Sequence, residues 1–184
     1  MDGFRVLPGL PAYGAGAIGF PSGWGHGARE GLVVQFELSP HSSWVGNFAP
    51  GLGGIDDVRP HPNGSAILVI SQGLMFYVDP VARSAVELGQ PIFGIWPVPA
   101  ANDLILSRQD IAFLRIGPGG VVWHTRRVSW DGFRDVRLES HRLTGEAWSP
   151  IDCWLPFSVD LRTGRTEGGS YNGPEEQSWE QLAP

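Results

Sequence analysis

Short apolar runs separated by glycine- and proline-rich turns make up most of this 184-residue chain. Between about Gly31 and Gly169 these runs read as short β-strands, because their length and their turn residues suit strands and helical periodicity is almost missing. Only the C-terminal tail, residues 172–184, suggests a helix, since Trp179 and Leu182 are three residues apart. The pattern predicts an all-β chain with a short C-terminal helix.

One strand pattern occurs four times, as a phenylalanine that begins a short apolar strand ending in a turn. The four are Phe36, Phe76, Phe113 and Phe157, at spacings of 40, 37 and 44 residues. Because residues i and i+2 share one face of a strand, we predict that the four phenylalanines are buried at equivalent positions in four β units. Arg115 breaks the third copy, unless Leu114 and Ile116 form its inward face.

The two middle copies also align at an offset of 37 residues. Ile55, Val58, Pro60, Pro62, Ile67 and Val69 correspond to Ile92, Ile95, Pro97, Pro99, Leu104 and Leu106. A β unit that repeats near 40 residues has the size of a four-stranded propeller blade. The alternative is an ordinary antiparallel meander or sandwich whose hairpins look alike.

The fold prediction is therefore a propeller-like array of about four antiparallel β units in a single domain, residues 1–184. Its first unit has to draw strands from the Gly/Pro-rich opening segment, residues 1–30, before the array ends in the tail at 172–184. Four units allow a small closed ring, an open twisted stack, or half of a ring that a second copy completes as a homodimer.

A resemblance supports the propeller prediction. Residues 55–88 read IDDVRPHPNGSAILVISQGLMFYVDPVARSAVEL, and their HP-x-G turn, apolar strand and VDP turn resemble a blade of the bacterial β-propeller-repeat proteins. The likeness extends less fully over residues 92–128. It implies a platform for binding and no particular chemistry. The stretch from Gly145 to Tyr171 resembles segments of uncharacterised bacterial proteins, from which no functional residue carries over.

Composition and charge narrow the possible functions. All 13 basic residues are arginine, so lysine Schiff-base enzymes and P-loop nucleotide sites are excluded. The net charge of −6 disfavours nucleic acid and anionic membranes and leaves room for a cationic partner. Cys153 is the only cysteine, and no leader or long apolar segment is evident, so we expect a cytoplasmic protein.

Motifs for cofactors or catalysis are weak. Residues 14–19 match G-x-G-x-x-G, but the glycines and proline that follow break the helix a dinucleotide needs, so we predict no nucleotide there. The histidines are His26, His41, His61, His124 and His141, none at metal-ligand spacing. Neither Ser170 nor Cys153 has the flanking residues of a nucleophile. We therefore expect no cofactor and no metal.

The densest polar and aromatic stretch runs from Trp123 to Arg142, where arginines and aromatics alternate with acids. A pair of strands joined by the turn at residues 130–132 explains it, and a protein contact is the alternative. Tryptophan is the residue most enriched in binding hot spots. The candidate partner-binding residues, chosen as turn-side tryptophans and nearby acids, are Trp44, Trp130, Trp148, Asp131 and Asp135.

The sequence thus favours a non-catalytic binding module, in one version a small acidic protein that neutralises a basic protein partner such as a toxin domain. The alternative is a hydrolytic enzyme whose site is carried on loops. Its candidate residues would be an aspartate with a histidine, drawn from Asp56, Asp57, Asp131, Asp135, His124 and His141.

Overall fold

The computed structural model describes residues 3–14, 16–24, 30–89 and 91–174. Within these ranges the chain forms strands and one 3-10 turn, Pro99–Ala101. The strands are β1 Phe4–Leu7, β2 Ile18–Phe20, β3 Leu32–Ser39, β4 Ser42–Phe48, β5 Asp57–Pro60, β6 Ile67–Ser71, β7 Leu74–Asp79, β8 Ser84–Glu87, β9 Ile92–Val98, β10 Asp103–Arg108, β11 Ala112–Gly117, β12 Gly120–His124, β13 Phe133–Leu138, β14 Arg142–Ser149, β15 Cys153–Asp160 and β16 Thr166–Gly168. The all-β prediction is confirmed. The predicted C-terminal helix is not seen: residues 172–174 are not helical, and residues 175–184 lie outside the described residues.

The strands form four sheets of four strands each, and the chain divides into two compact units. Unit 1, residues 1–92, holds sheet A, in the order β1-β3-β4-β2, and sheet B, in the order β5-β6-β7-β8. Unit 2, residues 93–184, holds sheet C, in the order β9-β10-β11-β12, and sheet D, in the order β13-β14-β15-β16; the first residue of β9, Ile92, belongs to unit 1. Sheets B, C and D are simple meanders in which neighbours along the chain are neighbours in the sheet.

Sheet A is built differently because it recruits the opening segment. Strand β1 pairs antiparallel with β3, and β2 pairs parallel with β4. The expectation that the first unit draws strands from residues 1–30 is therefore confirmed. The parallel pair departs from the all-antiparallel prediction, because β2 and β4 are not consecutive strands and so no hairpin turn makes them antiparallel.

The four repeated phenylalanines are all buried, as predicted. Phe76, Phe113 and Phe157 lie on the third strand of sheets B, C and D, respectively. Phe36 lies instead on β3, the first strand of the central hairpin of sheet A. The equivalence therefore holds for three of the four positions and fails in the sheet whose strand order differs.

Unit 1 has an aromatic core between sheets A and B. Phe36 and Trp44 are cross-strand partners on β3 and β4, with their rings stacked at 4.4 Å. Phe48 lies two pleats further along β4 and contacts Phe76 of sheet B at 5.2 Å between ring centroids. Burying such rings stabilises the unit by about 1.5–3 kcal/mol for each side chain.

Unit 2 has a matching core between sheets C and D, centred on Phe113. This ring lies 5.4 Å from Phe157 and 4.5 Å from Phe133, between centroids. Arg115 shares the Phe113 face, since residues i and i+2 of a strand point the same way. Its Nε donates to the carboxylate of Asp103 at 2.7 Å, so the arginine that interrupts the sequence pattern forms a largely buried ion pair.

The other face of β11 carries Leu114 and Ile116, which are also buried. Sheets B and C therefore bury apolar side chains on both faces. In sheet B the second face contributes Leu68, Ile70 and Met75. In the third copy of the phenylalanine pattern, therefore, Phe113 and Leu114 lie on opposite faces of β11 and both are buried.

Residues that align at the offset of 37 lie on corresponding strands of sheets B and C, but they do not all lie on corresponding faces of those sheets. In sheet B, Val69 is the cross-strand partner of Phe76, whereas in sheet C Leu106 is the partner of Leu114 and Phe113 is paired with Ser107. The β6–β7 connection has two residues, 72–73, and the β10–β11 connection has three, 109–111. One extra residue moves the aligned side chain to the opposite face.

No helix among the described residues is long and apolar enough to cross a membrane.

Candidate functional site

The second face of sheet D, opposite the face that carries Phe157, is polar and open to solvent. Strands β14 and β15 pair in register over eight residues, so alternate pairs lie on this face. One such pair is Trp148 with Trp154, and both side chains are only half-buried. Neighbouring positions on the face hold Glu146 and Pro156. We call Trp148, Trp154, Arg134 and Glu146 the tryptophan face.

Arg134 fixes the ring of Trp154. Its guanidinium carbon lies 4.5 Å from the ring centroid, and its Nε donates to a carboxylate oxygen of Glu146 at 2.6 Å. A cation above an exposed aromatic ring contributes about 0.5–1 kcal/mol. The exposed ion pair adds little stability, but it positions the guanidinium over the indole of Trp154.

The turn at residues 130–132 lies beside these rings. The backbone N–H of Trp130 donates to the carbonyl of Trp148 at 3.3 Å, and the N–H of Trp148 donates to the carbonyl of Gly132 at 3.2 Å. Gly132 has a φ of 92°, and a β-carbon there would lie 3.9 Å from the Trp154 ring. A glycine suits this positive φ, and Asp131 is exposed at the tip of the turn.

Hydrogen bonds of the Asp110 carboxylate position the turn at residues 130–132. Asp110 accepts a hydrogen bond from the N–H of Phe133 at 3.3 Å and one from the hydroxyl of Ser107 at 3.2 Å. Burial raises the pKa of the Asp110 carboxyl, and these two hydrogen bonds oppose the rise because they favour the charged form. The carboxyl thus anchors the first residue of β13 next to the turn.

Trp130 itself packs in a small aromatic cluster. Its ring meets Tyr171 edge-on at 4.8 Å, and the guanidinium of Arg127 lies 4.5 Å from the Tyr171 ring centroid. The Ser170 hydroxyl accepts from the Trp130 N–H at 3.2 Å and donates to the Trp148 carbonyl. Ser170 therefore links residues 130 and 148, which is a structural role.

Asp135 projects from a β-bulge. The β13–β14 register shifts between Arg134 and Arg137, and Asp135 adopts a φ of 52° within it. Bulges bend a strand and aim a side chain away from the ladder. Asp135 and Asp131 are both exposed, and neither forms an ion pair within the part of the chain that the structure describes.

Trp44, the remaining candidate, is not on a surface. Its ring is 5% exposed, it stacks on Phe36, and its indole N–H donates to the carbonyl of Pro80 at 2.9 Å. The prediction that Trp44 is displayed is wrong. The alternation Trp44, Gly46, Phe48 carries the signal that was missed, because it places Trp44 on the same strand face as a core phenylalanine.

Trp154 was not among the candidates, although it belongs to the tryptophan face. Its sequence also contains a usable signal. Phe157 and Val159 point inward on β15, so Trp154, an odd number of residues away from both, points to the opposite face.

The residues of the hydrolase alternative do not converge. Asp57 pairs with Arg59, and Asp56 accepts the N–H of Gln72 at 2.6 Å. His124 and His141 are exposed. Across residues 3–14, 16–24, 30–89 and 91–174, no hydrogen bond or ion pair joins one of the candidate aspartates to a histidine.

No group of three potential metal ligands occurs in the described ranges, and His26 lies outside them. The described residues of the glycine motif lead into strand β2, Ile18–Phe20, and then into a turn, so the helix N-terminus that a dinucleotide requires does not follow.

Neither a scan against protein-family models nor a search of curated proteins finds a match for this chain. The tryptophan face and the adjacent turn bring aromatic, cationic and acidic side chains together on one exposed surface.

Proposed function

We propose that this chain is a non-catalytic binding module whose tryptophan face receives a protein partner. The observation that carries the proposal is the pairing of half-buried Trp148 and Trp154 on a solvent-facing sheet surface. Tryptophan is enriched among the side chains that supply most binding energy at protein interfaces. The two tryptophans are cross-strand partners, and the guanidinium of Arg134 over the Trp154 ring restricts that side chain, which reduces the entropy lost when a partner covers it.

A basic partner fits the charges around this surface. Asp131 and Asp135 are exposed carboxylates without ion pairs in the described ranges, and the whole chain carries a net charge of −6. Carboxylates at the rim of an interface accelerate the encounter with a cationic protein more than they strengthen the complex. Neutralisation of a basic protein, such as a toxin domain, in the cytoplasm is the form of this function that we propose.

We also propose that the four sheets are blades of a propeller-like array. Support comes from the four-stranded plan of every sheet, and from the burial of apolar side chains on both faces of sheets B and C. The second face of sheet D carries Arg134, Arg142 and Glu167. These charged residues favour an open array rather than a ring that a second copy completes. Light scattering tests this: a dimer at micromolar concentration would contradict the open array.

The binding proposal is tested on whatever protein co-purifies with the full chain from its native cell. Trp148→Ala and Trp154→Ala are expected to raise the dissociation rate and to weaken binding by about 2 kcal/mol or more each. Asp131→Asn and Asp135→Asn are expected mainly to slow association, and the defect should shrink in high salt because screening shortens the range of the field. Surface plasmon resonance separates the two rates.

Matched controls come from unit 1. Leu52→Ala removes a fully exposed apolar side chain, and Glu37→Gln removes an exposed charge, both outside the proposed surface. Both should bind as the wild type does. Equal losses in the controls and in the tryptophan variants contradict the proposal, and so does turnover of a small molecule by the wild type without any bound protein.

A further inference from the structure

A second polar feature lies on the same face of sheet D, at the end away from the tryptophan pair. A pocket with a volume of 220 Å³ opens beside the β15–β16 turn, lined by three arginines, two carboxylates and two hydroxyls. Arg142 and Trp148 are six residues apart on β14, which corresponds to about 20 Å along a strand. The pocket is therefore separate from the tryptophan face, and its chemistry does not depend on the proposed protein partner.

Both carboxylates of the pocket are already engaged. Asp160 accepts hydrogen bonds from the N–H and the hydroxyl of Thr163, at 2.8 and 2.7 Å, and so closes its own turn. These hydrogen bonds lower the pKa of Asp160, and the charge of Arg162 lowers it further. Glu167 accepts from Arg142 at 2.9 Å.

Three arginines against two carboxylates leave the pocket with one positive charge in excess. Arg162 and Arg165 are exposed, and neither forms an ion pair within the described ranges. Arg142 also donates to the hydroxyl oxygen of Ser158 at 3.0 Å, which leaves the Ser158 hydrogen available as a donor. The pocket therefore offers several donors and an excess of positive charge in a chain that is acidic as a whole.

A β unit of this chain can fold without Arg142, Ser158 and Glu167 at their positions in the sheet. Sheet B contains the same Phe-x-Val-Asp strand end, and its register pairs Tyr77 with Val86 where sheet D pairs Ser158 with Glu167. Ala66 stands just before β6, at the position that Arg142 takes in sheet D. At the three positions sheet B thus has one aromatic and two apolar residues, whereas sheet D has polar side chains on a face that is open to solvent, where they can reach a ligand.

We propose that this pocket binds a single phosphate group, free or carried as a monoester on a small molecule. Guanidinium groups match phosphate geometry through paired hydrogen bonds. The pocket is smaller than the ~300–1,000 Å³ of sites for drug-sized ligands, which suits one phosphate group better than a whole nucleotide. The Arg142–Glu167 pair is exposed, so a ligand that competes for Arg142 loses little by displacing Glu167.

Calorimetry on the full chain at low ionic strength and pH 8 tests this, with inorganic phosphate and free phosphoserine as separate probes. Saturable binding of either is expected, and the tighter probe identifies the free ion or the monoester as the source. Arg162→Gln and Arg165→Gln should each weaken binding about tenfold, since each removes a charge-assisted hydrogen bond. Glu167→Gln should strengthen it, because the competing carboxylate is gone.

Two further measurements distinguish a site from general charge attraction. The second pKa of a phosphate monoester is about 6, so phosphoserine should bind more weakly at pH 5.5 than at pH 8. The affinity for sulfate should be the same at the two pH values, because its charge does not change. Arg83→Gln alters the exposed arginine of the β7–β8 turn in sheet B and should bind as the wild type does. The proposal is overturned by no saturable binding, by an equal loss in Arg83→Gln, or by tighter binding of an acidic peptide than of both probes.

Discussion

In each unit the indole N–H of a buried tryptophan in one sheet donates a hydrogen bond to a backbone carbonyl of the other sheet's strand end, and the two acceptor carbonyls differ in the number of donors that they receive. In unit 1 the indole of Trp44, from sheet A, donates to the carbonyl of Pro80 in sheet B at 2.9 Å. In unit 2 the indole of Trp123, from sheet C, donates to the carbonyl of Leu161 in sheet D at 2.7 Å. Only the Leu161 carbonyl has a second donor within the described ranges, the guanidinium of Arg115.

Both acceptor carbonyls follow an aspartate that closes a turn. Asp79 accepts the N–H of Val81 at 2.9 Å, and Asp160 accepts the N–H of Thr163 at 2.8 Å. The turn fixes the position of the carbonyl group, and the carbonyl oxygen accepts the hydrogen bond from the indole N–H. The same arrangement of turn and indole thus occurs beside apolar side chains in unit 1 and beside an ion pair in unit 2.

The largest expected effect breaks the ion pair that sets unit 2 apart. Asp103→Ala leaves the buried charge of Arg115 without its partner, and such a loss costs about 3–5 kcal/mol. Urea denaturation followed by circular dichroism measures it. The double variant Asp103→Ala/Arg115→Met removes both charges and should recover most of the loss. A single variant as stable as the wild type would show that the pair is not buried in solution.

A smaller effect compares the two junctions directly. Trp44→Phe leaves the Pro80 carbonyl without a donor, which costs about 1–3 kcal/mol beyond the smaller ring. Trp123→Phe removes the same donor, but Arg115 still donates to Leu161, so its cost should be lower by about 1 kcal/mol. Thermal and urea unfolding of the two variants side by side provide the measurement. A larger loss for Trp123→Phe would contradict this account of the second donor.

The smallest effect is a dependence of stability on pH that originates at His61 in unit 1. Burial lowers the pKa of His61 below 6.5, and its Nδ1 accepts the N–H of Asn63 at 3.1 Å. The unfolded chain then binds more protons than the folded chain, so the contribution to stability is present above about pH 6.5 and is lost as the pH falls toward the folded pKa.

Urea midpoints at pH 7.5 and pH 5 measure this loss. His61→Asn should flatten the dependence over that range, whereas His141→Asn, at an exposed position of unit 2, should keep the wild-type slope. If the slope survives His61→Asn, another group is responsible for it.

The sequence predicted the strands well because phenylalanine and β-branched residues recur between strong turn residues. It predicted the burial of Phe36, Phe76, Phe113 and Phe157 for the same reason. It did not predict the parallel β2–β4 pair, because three residues at Ile18–Phe20 among glycines and prolines carry too short a pattern. Long-range pairing of such a strand depends on tertiary contacts that local sequence does not encode.

The candidate site was predicted only in part. Trp130, Trp148, Asp131 and Asp135 are half-buried or exposed in unit 2, whereas Trp44 is in the core and Trp154 was overlooked. A tryptophan beside a turn can point to either face, and the face is decided by strand parity rather than by distance from the turn. The sequence did not predict the pocket beside the β15–β16 turn, because Arg142 and Arg162 are brought together only by the β14–β15 register.

The bulge in β13 has a consequence for how copies of this chain behave when crowded. Strand β13 is an edge of sheet D, and the bulge at Asp135 interrupts its row of hydrogen-bonding backbone groups. Edge strands β5 and β9 contain Pro60 and Pro97, which lack an N–H. Such interruptions prevent a strand of another molecule from extending the sheet. A chain whose regular structure is almost all β thus resists aggregation at these three edges through a few backbone irregularities.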